Sequence, residues 1–122
     1  MIPLDAKRTS EQNDKQWPML RDIARQVPWW HTDERGHWVF KPMNEASWKS
    51  VLTAGFEQET RMALGTDGHT AVMVGASTSK YSRSKFADYI EFVSAFGAQH
   101  DVQWSKKSED FMAEVRQQPR AA

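Results

Sequence analysis

The sequence contains no cysteine, which removes disulfides, thiolate metal sites and a cysteine nucleophile at once. It has no excess of either charge: 16 Lys and Arg balance 16 Asp and Glu across 122 residues. No global positive field announces nucleic acid, so any contact with DNA must come from local clustering. Long apolar runs are missing as well. The amino-terminal stretch from Met1 to Arg8 lacks the apolar core of a signal peptide, and no segment approaches the length of a membrane span. The expectation is a soluble, cytoplasmic protein with no membrane partner. Gly65, Gly68 and Gly75 are not followed by a Lys-Ser/Thr pair, which argues against an ATPase. Internal repeats and low-complexity segments are absent. A chain of this length predicts one domain over 1–122, with flexible tails at 1–9 and 119–122.

Aromatic residues, by contrast, are plentiful, with six tryptophans in the chain. Trp17, Leu20, Ile23, Ala24 and Val27 recur at helical spacing after a cap at Thr9 or Ser10. Pro18 predicts a break inside that pattern and Pro28 ends it. Trp29–Thr32 and His37–Phe40 flank the turn-forming Asp33-Glu34-Arg35-Gly36 and read as a β-hairpin. Asn44 caps a second helix to about Phe56, with Trp48, Val51, Leu52 and Phe56 inward. Residues 57–69 read as a loop, and Thr70–Gly75 as a short strand covered on both faces. Ser82 or Ser84 opens the clearest helix, carrying Phe86, Tyr89, Ile90, Val93 and Phe96, with Gly97 as terminator. A last helix starts at Ser105, buries Phe111, Met112 and Val115, and stops before Pro119. The fold class is α+β, a small domain of three to four helices packed on a short hairpin and strands.

Three features could carry chemistry. Between the short strand and the clearest helix lies Ser77-Thr78-Ser79-Lys80-Tyr81-Ser82-Arg83-Ser84-Lys85. Hydroxyls, cations and free amides of a first helical turn are the groups that hold phosphates, and Ser79, Lys80, Arg83 and Lys85 are the candidates. The same composition also describes an ordinary loop that caps a helix. Lys106, Lys107, Arg116 and Arg120 form a second basic cluster, diluted by Glu109, Asp110 and Glu114. The adjacent Trp29 and Trp30 must point to opposite faces of a strand. One of them therefore meets solvent, a partner subunit or unpaired bases, on which aromatic rings stack; Tyr81 is a further stacking candidate. Trp17, Trp48 and Trp104 read as core or dimer-interface residues. A metal-dependent nuclease would need His31, His37, Asp67 or His69 to converge, yet no helical His pair or downstream Asn/His partner accompanies them. No catalytic residue, metal or cofactor is expected. A module that binds only protein is the other alternative, which the neutral charge permits.

Three blocks of sequence go further. They are Gln12-Asn13 with Trp17, Leu20 and Asp22–Val27; Glu45-Ala46-Ser47-Trp48-Lys49 with Val51 and Thr53-Ala54; and Val74-Gly75, Ser77-Thr78-Ser79, Phe86-Ala87, Glu91, Ala95-Phe96-Gly97, Val102 and Trp104-Ser105. In order, spacing and identity the chain resembles the NinB family of lambdoid phages, also called the Orf recombination proteins, over roughly residues 8–105. The resemblance implies a non-enzymatic phage or prophage recombination mediator that binds single-stranded DNA as a homodimer. It also implies contact with the host single-stranded-DNA-binding protein, SSB, and assistance in loading a recombinase. Two departures stand out. Eleven residues precede Gln12, where family members carry several dozen that bear on a ring-shaped dimer. The connection from Val27 to Trp38 is longer than usual and holds extra Trp and His residues.

Overall fold

Proline placement decides where the first helix begins and ends. Helix α1 spans Trp17–Gln26 and takes Pro18 in its first turn, where a missing amide proton costs nothing because that turn has no carbonyl partner. A separate helical turn at 13–14 precedes it, so the break predicted at Pro18 falls just ahead of that residue. At the other end the Val27 amide closes on the Ile23 carbonyl at 2.8 Å, and Pro28 starts a strand. The computed structural model describes residues 13–58, 62–64, 66–68, 71–73 and 78–118. The expected cap at Thr9 or Ser10 and the two predicted tails lie outside those residues.

Strand β1 (Pro28–Thr32) pairs antiparallel with β2 (Trp38–Pro42), with Trp30 opposite Phe40 and Thr32 opposite Trp38. The turn is built by Asp33, whose carboxylate accepts from the amides of Arg35 and His37, both at 2.9 Å. Gly36 adopts a φ of +80°, a conformation that a side chain would strain. Asn44 Oδ1 then accepts from the Ser47 amide at 2.8 Å, opening α2 (Glu45–Gln58). Helix α2 runs two residues beyond Phe56, and a second antiparallel pair follows, β3 (Met62–Leu64) with β4 (Ala71–Met73). The stretch expected as loop therefore holds a helix end and a strand. A 3-10 turn at Thr78–Lys80 leads into α3 (Arg83–Gln99), capped by Ser82, whose hydroxyl accepts from the Lys85 amide. Ser105 caps α4 (Lys106–Gln117) in the same manner.

The four helices enclose one core. Met19, Leu20 and Ile23 of α1 meet Trp48 and Leu52 of α2, Tyr89, Ile90 and Val93 of α3, and Phe111, Met112 and Val115 of α4. The α+β class is as expected, but two details differ. Val51 lies at the solvent edge of its helix rather than inward. Gly97 does not stop α3; it is buried inside the helix, where a Cβ would run into the Trp104 indole. The glycine is there to let that ring approach the backbone. The turn falls later, at Asp101, which takes the left-handed conformation at φ 56°.

Buried polar groups tie the elements together. Asp22, 1% exposed, accepts from the Ser105 amide at 2.8 Å and from the Ser108 hydroxyl at 2.6 Å. One carboxylate of α1 thus caps the N-terminus of α4, where negative charge is favoured. Gln16 is equally buried. Its amide donates to the Thr78 hydroxyl at 3.3 Å, and its carbonyl accepts from Tyr89 at 3.1 Å. Thr78 in turn donates to Asn13 at 2.9 Å. Desolvation pushes the Tyr89 phenol up to about 12, against a smaller opposing effect from the neighbouring Thr53 side chain.

Candidate nucleic-acid interface

Among the described residues, six of the Lys and Arg side chains face carboxylates. Lys15 pairs with Glu114 at 3.2 Å, Arg21 with Glu45 at 3.6 Å and Arg25 with Asp22. Lys106 pairs with Asp110 at 3.2 Å, and Arg116 with Glu91 at 2.7 Å. That last hydrogen bond raises the Arg116 guanidinium further above its ordinary value, against a smaller desolvation effect. Two members of the carboxy-terminal basic cluster are thereby neutralised. Lys107 is exposed, but it shares a groove with Asp110 and Glu114. Arg120 lies outside the described residues.

The helix entry at 77–85 is partly committed too. Glu57 is fully buried and receives the Tyr81 hydroxyl at 2.6 Å and the Lys85 ammonium at 3.2 Å. Lys85 also lies 4.6 Å from the centre of the Tyr81 ring. Tyr81 itself is only 2% exposed, so its ring is a core surface and offers no face to a base. Arg83 is half-buried, while Lys80 is exposed. The Ser79 side chain lies outside what is described. The three cations of this segment are therefore not exposed as a set: Lys80 stands out, and Lys85 serves the interior.

The tryptophan pair divides as strand geometry requires. Trp29 turns inward, with ring centroids 5.3 Å from Trp48, 5.7 Å from Phe96 and 5.6 Å from His100. Trp30 turns outward and is 61% exposed. Its cross-strand partner Phe40 lies 5.3 Å away and is 52% exposed, while Trp38, two residues from Phe40 on the same face, is 70% exposed. Trp38 and Phe40 were not singled out from the sequence, although their alternation across from Trp30 was the available signal. Arg35 and Lys41 of this hairpin are exposed and have no ion-pair partner among the described residues. Beside the turn an open cleft of about 520 Å³ is lined by His31, Asp33, Arg35, Asn44 and Ser47. Among the described residues no three His, Asp or Glu side chains are grouped to hold a metal ion, and His69 lies outside them. No described helix is long and apolar enough to cross a membrane.

Comparison with known proteins gives the family of the chain. The model of the NinB protein family matches residues 4–105. The ninB protein of Salmonella phage P22 is 36% identical over 104 residues, covering 85% of this chain and 65% of that protein. The ninB protein of Escherichia phage lambda is 34% identical over the same length, covering 64% of its own chain. The chain thus spans just under two thirds of the length of these relatives. A solved NinB structure superposes with a TM-score of 0.57 at 30% identity, covering 89% of this chain and 75% of the other.

Proposed function

The chain belongs to the NinB family, and from that premise we propose that it is a phage DNA-recombination mediator that binds single-stranded DNA without catalysing a reaction. It acts in the cytoplasm of a bacterial host as a homodimer, touches the host SSB, and holds the strand while a recombinase loads. The observation that carries the reading is the family match across most of the chain, because the resemblance implies this role. The structure adds surface cations that no carboxylate of the described residues neutralises, Lys80 among them. Held this way, DNA is bound through its phosphates, so affinity falls with salt by about −0.7 in the log–log slope for each phosphate neutralised on a single strand.

The test is retention of labelled single strands over a salt series, with sedimentation for the dimer and calorimetry against the acidic SSB tail peptide. Salt-dependent binding across many sequences is expected. Replacing Lys80 and Lys107 with alanine should flatten the slope by up to about 1.4 units. Absence of binding at low salt would overturn the reading, and metal-dependent cleavage of the strand would replace it with a nuclease.

A further inference from the structure

We propose that the outward face of the β1–β2 hairpin is a stacking platform for the unpaired bases of a single strand. The inference rests on the single-strand-binding reading above and names the part of the molecule that touches the bases. Alternation along the two strands puts Trp30, Trp38 and Phe40 on one face together with Thr32, and none of these residues is charged. Large rings left more than half exposed are costly unless something covers them. The inner face of the same hairpin is already occupied, because Trp29 packs on Trp48 and Phe96. The outer rings therefore do not serve the core of this chain.

Spacing and charge favour bases as the occupant. Trp38 and Phe40 are two residues apart on one strand, about 6.8 Å along it, which is the rise of two stacked nucleotides at about 3.4 Å each. Trp30 stands beside Phe40 and widens the platform to the neighbouring strand. Cations stand on the same hairpin: Arg35 lies in the turn, three residues before Trp38, and Lys41 follows Phe40 on the opposite face, across from Trp29. Both are exposed and without an ion pair among the described residues, whereas Lys15, Arg21, Arg25, Lys85, Lys106 and Arg116 face acids. Of the two acids in the turn, Asp33 is engaged by the Arg35 and His37 amides, and Glu34 is exposed. Aromatic rings beside uncommitted cations are the pairing that binds single strands regardless of sequence.

The experiment measures binding of the full chain to oligothymidylate and to an abasic strand of equal length, each over a salt series. Trp30→Ala and Trp38→Ala should each weaken oligothymidylate binding about tenfold, the scale of one lost base stack. The salt slope should stay unchanged, because no cation is removed, and abasic binding should stay near the wild-type level. Trp38→Phe should retain most of the affinity, which covers the case in which an alanine variant folds poorly. If wild type binds and both alanine variants bind equally well, the hairpin inference is wrong while the function stands. A wild type that ignores single strands at low salt overturns both. Variants that fall from dimer to monomer with unaltered affinity would show the face to be a contact between copies, which also overturns the inference.

Discussion

Replacing Asp22 with alanine should be among the most damaging single changes in this protein. The carboxylate is buried in α1 and accepts from the Ser105 amide and the Ser108 hydroxyl at the start of α4. Each hydrogen bond to a charged group stabilises by roughly 1.5–3 kcal/mol, and losing the acceptor strips a partner from the buried Ser108 hydroxyl and the partly buried Ser105 amide. Part of that loss is offset because alanine no longer requires a carboxylate to be desolvated. A net loss of about 3 kcal/mol follows, a large share of the roughly 5–15 kcal/mol that holds a natural domain folded. Thermal unfolding followed by tryptophan fluorescence would read it as a drop in Tm of roughly 10 °C. Asp22→Asn keeps an acceptor oxygen without the charge and should lose about half as much. Arg25→Ala is the comparison, because it takes a 62% exposed cation from the buried carboxylate but leaves both α4 donors in place, so it should lose only about 1–2 kcal/mol. If Asp22→Ala and Arg25→Ala lose the same amount, a distant carboxylate does not hold the last helix in place.

Three further outcomes are expected. Gly97→Ala would stabilise an open helix by about 1 kcal/mol, but displacing Trp104 should reverse the sign and leave a net loss of about 1–2 kcal/mol; a higher Tm would refute the packing. Lys85→Ala removes an ammonium from the buried Glu57, and should cost about 1–3 kcal/mol of stability while leaving the salt slope of DNA binding unchanged. A flattened slope with intact stability would place Lys85 on the phosphates instead. Tyr89 is held protonated in the folded state up to about 12 against an ordinary 10.0. Stability from this group is complete below pH 10.0 and is lost as pH rises through about 12, since the unfolded chain releases the proton first. The loss amounts to about 3 kcal/mol at about 1.36 kcal/mol per pH unit, and the urea midpoint of Tyr89→Phe should lack that component.

Elements governed by neighbours in sequence were legible. Pro18 and Pro28 frame α1, Asp33 and Gly36 make the hairpin turn, and Asn44, Ser82 and Ser105 cap their helices, each through contacts a few residues away. Features decided by distant partners were not. The fate of Tyr81 and Lys85 depends on Glu57, more than twenty residues earlier, so a segment rich in cations and hydroxyls looked more available than it is. Gly97 reads as a stop until Trp104 is seen lying against it. The strand β3 has three residues, too few for an alternating pattern to register. Trp29 and Trp30 show both sides of this division: strand geometry demanded that they diverge, but only the positions of Trp48 and Phe96 decide which one faces inward.

The link from Asp22 to Ser108 spans 86 residues, and that separation bears on how the chain is made as well as how it is held. During translation α1 emerges with its carboxylate and with Met19, Leu20 and Ile23, while the helix it must cap does not yet exist. At about 5–20 residues per second, Ser108 follows Asp22 by roughly 4–17 s. Through that interval the apolar stripe of α1 has only α2, and later α3, to shelter it. Closure of the core therefore waits until α4 has been made, and a ribosome stalled between Asp22 and Ser105 would carry a nascent chain whose α1 is a substrate for chaperones.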